Sequence, residues 1–194
     1  MRFVGIDPAT KTGVVVLDES GYVLIETELQ GKGEKGKGGE LSIPQLVDLE
    51  NQLYRIIQAN DEIVIEQAAP GTQKGITTGM IHGGLRSMII RRGLRYNDIH
   101  VSWTKKYVAE TGWSGETGKK RLLKGTEKKA AIAKAVLEHF GYSHKSDNVV
   151  DAYIMARAAL NLYRIRELQQ PIDTLQYQLE VVQSILDKAT AAGS

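Results

Sequence analysis

The chain has 194 residues, 42% of them apolar and 25% charged, with Lys and Arg exceeding Asp and Glu by a net formal charge of +2; this is the profile of one globular domain with an appendage, long enough to bury a sizeable core. Cysteine is absent, which excludes disulfides, thiolate metal sites and cysteine nucleophiles. No basic-then-apolar leader opens the chain and no apolar run approaches the roughly 20 residues that span a bilayer, so a cytoplasmic protein without membrane contact is expected.

In chain order, residues 2–7, 12–18 and 22–29 read as three strands, the last two joined by the tight turn Glu19-Ser20-Gly21. The first is built on Phe3, Val4 and Ile6 and stops at Asp7, because Pro8 cannot donate to a sheet ladder. Gly31 to Glu40 is rich in Gly and Lys, has nothing with which to build a core, and is expected to be a flexible excursion. Pro44 opens a helix in which Leu46, Leu49, Leu53, Ile56 and Ile57 recur at spacings of three and four. Residues 61–67 form a fourth strand, where Ile63, Val64 and Ile65 run into Glu66 before Ala68-Ala69-Pro70-Gly71 breaks it. The loop that follows carries Lys74, and a helix is expected from about Met80 to Arg92, ended by Gly93.

Ile99 to Ser102 reads as a short fifth strand, and the charged stretch from Trp103 to Lys124 as partly irregular. Thr126 is placed to N-cap a helix over about Glu127 to Phe140, with Gly141 as its stop. Ser146 or Asp147 caps the next helix, which runs to about Arg164; Pro171 begins the last, with Ile172, Leu175, Leu179, Val182, Ile185 and Leu186 on one stripe. Hairpin strands first, then strands alternating with helices, predict an α/β protein with a mixed sheet flanked by helices.

Four carboxylates stand out. Asp7 and Glu66 each terminate an apolar strand. Asp147 and Asp151 are four apart at a helix start, about 40° from each other on one face. As bare helix neighbours the pair repels by a few tenths of a kcal/mol, which a bound cation relieves. Asp147 also has an ordinary use, since an acid in a first turn favours the helix dipole. Asp151 lies on a helix whose Ala152, Ile154, Met155 and Ala158 mark it as buried, where an unpaired charge is costly. An all-oxygen donor set suits Mg²⁺ or Mn²⁺, and two such ions about 3.5–4 Å apart serve phosphodiester hydrolysis; the alternative is four unrelated surface acids. Residues 102–135 concentrate Lys105, Lys106, Lys119, Lys120, Arg121, Lys124, Lys128, Lys129 and Lys134 against three acids. That excess is either a polyanion-binding face or a solvated one.

The opening GIDPATKTG, the strand IVIEQ, the segment VSWTKKYVAETG and the late DNVVDAY occur in an order that resembles the RuvC-like Holliday-junction resolvases of the ribonuclease H-like superfamily. The resemblance spans about residues 2–160. It implies a ribonuclease H-like mixed five-stranded sheet with the first three strands antiparallel, a nuclease domain over residues 1–165, and a C-terminal helical extension over 166–194. It further implies two Mg²⁺ (or Mn²⁺) ions held by Asp7, Glu66, Asp147 and Asp151, and a two-fold homodimer that cuts four-way junctions symmetrically. Lys105 and Lys106 then become phosphate contacts, with Lys74, Lys119, Lys120 and Arg121 as further DNA-binding candidates. The family pair is often three residues apart, so Asn148 competes with Asp147 for the third ligand's place. The Gly/Lys excursion and the helix after Pro171 suggest a divergent, phage-type member, acting in the host cytoplasm. The helix from Met80 to Arg92, with Met80, Leu85, Met88 and Ile89, is the favoured dimer seam, and the C-terminal stripe a cover for its own subunit.

Three other readings remain open at this point: a relaxed nuclease on flaps and forks, a non-catalytic module that holds branched nucleic acid, and an actin-like ATPase. The last would need a duplicated domain for which the chain has no repeat. Of the histidines only His144 is near the acidic helix, either assisting chemistry or facing solvent. Trp103 and Trp113 flank the basic segment, either stacking on exposed bases or anchored in the core.

Overall fold

The computed structural model describes residues 1–36, 40–68, 75–110, 112–114 and 119–191. Three strands come first, β1 (Phe3–Asp7), β2 (Thr12–Leu17) and β3 (Val23–Leu29). Then follow α1 (Ile43–Ile56), β4 (Glu62–Glu66), α2 (Gly75–Arg91), β5 (Asn97–Ile99) and α3 (Val101–Tyr107). A small hairpin, β6 (Trp113–Ser114) and β7 (Arg121–Leu122), leads to α4 (Gly125–Phe140), α5 (Asp147–Arg166) and α6 (Gln176–Ala191). The main sheet has the order β3-β2-β1-β4-β5. β1, β2 and β3 pair antiparallel, and β4 and β5 run parallel to β1. This is the mixed sheet expected from the sequence.

The sheet is covered on both faces, which is why β1 and β4 read as nearly continuous apolar runs rather than alternating ones. Phe3, Val15, Leu17 and Val64 face a core shared with α3, α4, α5 and α6. Val4, Ile6, Val14, Val16, Ile63 and Ile65 face a second core with α1 and α2. α5 lies across the first core and is buried almost continuously from Val149 to Leu162. Among the described residues no helix is long and apolar enough to cross a membrane.

Several expectations are corrected. The fifth strand lies earlier, at Asn97–Ile99, and Val101 and Ser102 already belong to α3. His100 ends the strand by accepting the Ser102 backbone N–H at 3.2 Å, an N-cap that the apolar pattern of Ile99 and Val101 concealed. Thr126 does not cap α4; Lys124 holds the N-cap position without a side-chain bond. Gly141 does end α4, with φ 66°. Pro171 does not open the last helix, which starts at Gln176. Residues 167–175 instead form a strap whose Asp173 is bonded to Tyr107, Arg157 and Asn161. Along the described part of the Gly/Lys excursion, the Lys32 N–H bonds Asp48 at 2.8 Å, and the Ser42 hydroxyl donates to the Glu34 carbonyl at 2.7 Å. That stretch is therefore tied to the start of α1.

The favoured dimer seam also fails. Leu85 and Ile89 are fully buried and Met88 is 5% exposed, all in the chain's own core against α1 and the sheet. Their spacing marked an apolar face correctly, but the face is used inside the subunit. The C-terminal helix does cover its own subunit, through Val181, Val182 and Ile185 rather than through Leu175, which is exposed.

Candidate active site

The parallel register of β1 and β4 pairs Ile6 with Ile65. One step further along both strands sets Asp7 beside Glu66. Side chains alternate across a strand, so Asp7 shares the face of Phe3, and Glu66 that of Val64. Both carboxylates thus emerge on the α5 side, at the C-terminal ends of neighbouring strands. Two glycines let α5 come close enough to meet them. A Cβ at Gly5 would stand 1.9 Å from the Ala152 carbonyl oxygen, and one at Gly13 would stand 1.9 Å from that of Asn148. Any larger residue would push the helix away, and Asp151 with it.

The result is a group of acids that affect one another. Asp7 is 8% exposed. Burial raises its pKa well above the usual carboxylate range, the charges of Glu66 and Asp151 push it further, and a side-chain hydrogen bond links it to Glu66. Glu66 is raised to about 7, by burial first and then by the Asp151 charge. Asp151 is raised to about 6, again by burial first, with Lys105 opposing and Asp147 reinforcing. One proton shared between close carboxylates is the expected response when both cannot ionise together.

Cations surround this group. Arg86 on α2 donates to the Glu66 carbonyl oxygen and to Asp98 Oδ1, each at 2.7 Å, and so braces the end of β4 against β5. His82 accepts from Arg86 at 2.8 Å and is held to a pKa of about 4 by burial and by that guanidinium. Lys105 on α3 faces Glu66 and Asp151, and its pKa is lowered by burial and by the neighbouring Lys128 ammonium. Lys129 bonds Asp147 at 2.8 Å, and its charge reaches Asp151 and Asp7.

Asp147 therefore stands at the rim, half-exposed and paired with Lys129. Asn148 turns its amide to the Lys11 carbonyl at 2.6 Å, pinning α5 to the β1–β2 turn. Among the described residues no three acid, imidazole or thiol side chains converge at metal-ligand distance. The donor chemistry nevertheless fits a hard divalent cation: Asp7, Glu66 and Asp151 are desolvated carboxylates whose mutual repulsion a cation would relieve.

The basic candidates separate. Lys105 is at the carboxylates. Lys106 points the other way, to Glu180 of α6 at 2.6 Å. Arg121 makes a two-pronged bond to Glu127 at 2.7 and 2.8 Å, while Lys119 and Lys120 are exposed. Lys74 lies outside the described residues. Arg86, Lys128 and Lys129 are the neighbours that sequence reasoning did not single out; Lys128 and Lys129 were visible only as part of a charge excess, and Arg86 carried no signal. The histidines serve structure: His144 accepts the Ser146 N–H at 3.0 Å, and His139 bonds the Tyr177 hydroxyl at 2.6 Å.

The sheet order, the covering helices and the strand-end acids can be set beside solved structures. Over 86% of this chain and 96% of the other, the chain superposes on T. thermophilus RuvC in complex with Holliday junction substrate, with a TM-score of 0.55 and 15% identity. A second Thermus thermophilus RuvC structure gives a TM-score of 0.53 and 16% identity over 87% of this chain and 98% of the other. The chain has a RuvC-like fold. At this identity the likeness is one of architecture; within the RuvC-like fold it accounts for the mixed sheet, the helices on both faces and the divergence of sequence. No protein-family model and no curated protein matches the chain.

Proposed function

We propose that the protein is a metal-dependent endonuclease that hydrolyses phosphodiesters in branched DNA, resolving four-way junctions by paired symmetric cuts. The observation that carries the reading is the burial of Asp7, Glu66 and Asp151 together beside Lys105, at the C-terminal ends of two central strands, where burial raises all three pKa values and the Asp151 charge adds to the rise at Asp7 and Glu66. Of the cations around these acids, Arg86 is shared with Asp98 and Lys129 with Asp147, which leaves Lys105 as the cation that faces Glu66 and Asp151. A fold neighbour bound to a Holliday junction supports DNA of that shape as the substrate.

In this proposal Asp7, Glu66 and Asp151 hold Mg²⁺ or Mn²⁺, with Asp147 completing the set when it leaves Lys129. When bound, two such ions supply a lowered water pKa and charge stabilisation at the attacked phosphate. The chain's own residues do the rest. Arg86 fixes the backbone at Glu66, so the carboxylate is held by a rigid strand end. Lys105 and Lys128 present two ammonium groups toward a phosphate, and the lowered Lys105 pKa marks how crowded they are before a phosphate arrives. In this reading residues 1–165 are the nuclease body, and the described part of the 166–194 extension braces it through the Asp173 strap and α6.

Cleavage assays in Mg²⁺ on a four-way junction, a flap and a linear duplex test this reading. Paired cuts confined to the junction are expected. Equal cutting of flaps would instead support the relaxed structure-specific nuclease, and binding of branched DNA without cleavage a non-catalytic module. Paired cuts need two active sites on one substrate, hence a dimer. Sedimentation with and without the junction measures that assembly directly.

A further inference from the structure

The two outer strands of the main sheet differ. β5 is three residues long and packs against α6. β3 is seven residues long, and among the described residues no strand pairs with its outer edge. Such an edge is a template on which another extended chain can continue the sheet. Beside it, a groove of about 640 Å³ runs between β3 and the loop that joins α4 to α5. Its walls include Tyr22, Phe140, Tyr142 and Tyr153, with Leu24 and Glu26 from the strand side. Tyr22 is 70% exposed and Leu24 47%.

The groove is built stiffly and charged on one side. Tyr142 stacks on Tyr153 with ring centroids 3.8 Å apart, and its hydroxyl donates to Glu26 at 2.7 Å. Glu19 pairs with the N-terminal ammonium and Glu28 with Lys11, whereas Glu26 has no ion-pair partner among the described residues. Arg157, against the Phe140 ring, is already matched by Asp173. A carboxylate beside open tyrosine faces is the chemistry that holds an ammonium or a guanidinium group. The stretch from Asp18 to Leu29 carries Asp18, Glu19, Glu26 and Glu28 and no Lys or Arg, so a polyanion is repelled here. A second copy of the chain fits no better. Two-fold pairing about the middle of β3 sets Glu26 against Glu26 and supplies no cation.

We propose that the free edge of β3 and this groove dock an extended segment of another protein, whose backbone continues the sheet and whose Arg or Lys side chain lies on Tyr22 and against Glu26. Docking here does not depend on the nuclease reading.

The test titrates the full chain, at about 0.15 M salt to screen loose charge attraction, with a short labelled peptide that alternates valine and arginine. A second peptide carries glutamate in place of arginine. Fluorescence anisotropy measures affinity, and amide hydrogen exchange locates the peptide. Saturable binding of the arginine peptide with slowed exchange along β3 is expected, and no binding of the glutamate peptide. Glu26→Lys should weaken binding at least about ten-fold, because like charges then meet. Tyr22→Ala should weaken it roughly two- to five-fold, the size of an exposed cation–π contact, and Tyr22→Phe should keep most of the affinity. Both side chains are exposed, so these variants should melt as the wild type does. Slowed exchange at the buried carboxylates with none on β3 overturns the proposal. So do equal binding of the two peptides, unchanged affinity in Glu26→Lys, and no binding of the arginine peptide. Protection of β3 that rises with protein concentration alone, or on adding a four-way junction alone, makes a second copy or DNA the occupant and overturns it too.

Discussion

Two buried carboxylates in this protein are treated in opposite ways. Asp173 is 5% exposed and surrounded by donors. The Tyr107 hydroxyl donates to it at 2.8 Å and the Asn161 amide at 2.6 Å; Arg157 forms an ion pair with it, and Asn161 also receives the Ile172 and Asp173 backbone N–H groups. Asp7 is 8% exposed, and its neighbours are two more acids. The cost of burying Asp173 is offset locally, and the network ties the strap after α5 to α3. The cost of burying Asp7, Glu66 and Asp151 is left outstanding, as raised pKa values. Buried charge with donors is architecture; buried charge against like charge carries raised pKa values, and that is the feature on which the proposed function rests.

The comparison is broken most sharply by neutralising each side. Asp7→Asn or Glu66→Gln should lower Mg²⁺-dependent cleavage by roughly three orders of magnitude or more, with junction binding unchanged or tighter, because a repulsive charge is removed from a phosphate site. Cleavage near the wild-type rate in either variant would sink the assignment. Asp173→Ala should do the reverse. It leaves Arg157 buried without its partner and should cost about 3–5 kcal/mol in urea unfolding, while the activity of the fraction that remains folded stays near normal.

A third experiment separates the two regions by pH. Glu66 binds its proton more tightly in the folded chain than unfolded, with a folded pKa of about 7. The folded state then carries more protons between the two values, so stability falls as pH rises from about 4.5 through about 7. Without divalent ions, unfolding free energy should therefore decline across that window. Glu66→Gln should remove much of the decline and be the more stable protein at pH 8, by on the order of 2–3 kcal/mol. Adding Mg²⁺ should stabilise the wild type at pH 8 and do little for the variant. A flat profile in the wild type would mean that the acids do not share protons as described.

The smallest effect distinguishes two adjacent lysines. Lys105→Ala should weaken DNA binding and reduce the slope of log affinity against log salt by about one. Lys106→Ala should leave that slope alone, since Lys106 is committed to Glu180 on α6. Equal slopes lost at both positions would show that α3 presents a different face to DNA.

Much of this was legible in the residues. Pro8 and the 68–71 break mark where β1 and β4 stop, so Asp7 and Glu66 were recognisable as strand-end acids. Gly141 ended its helix, as glycine in the left-handed region does. Local signals failed where two readings shared a pattern. Ile99 and Val101 suited a strand, yet the chain turns into α3 between them at the His100 cap. Leu85 and Met88 announced an apolar face without saying whether a sheet or a second subunit covers it. Lys105 and Lys106 are indistinguishable by composition, and one helix step separates a lysine at the carboxylates from one paired with α6.

What the sequence by itself determined was the first four strands, the ends of β1 and β4 that carry Asp7 and Glu66, and the stop of α4 at Gly141, because those depend on neighbours a few residues away: ring constraints, glycine and periodicity. Only the tertiary structure decided which charges are satisfied and which are not. Asp7 meets Glu66 through the register of two strands far apart in the chain, Asp151 joins them because Gly5 and Gly13 let α5 approach, and Lys106 is removed by a glutamate on the last helix. A carboxylate's chemistry is set by its burial and by the sign of what lies beside it, and both are products of long-range packing.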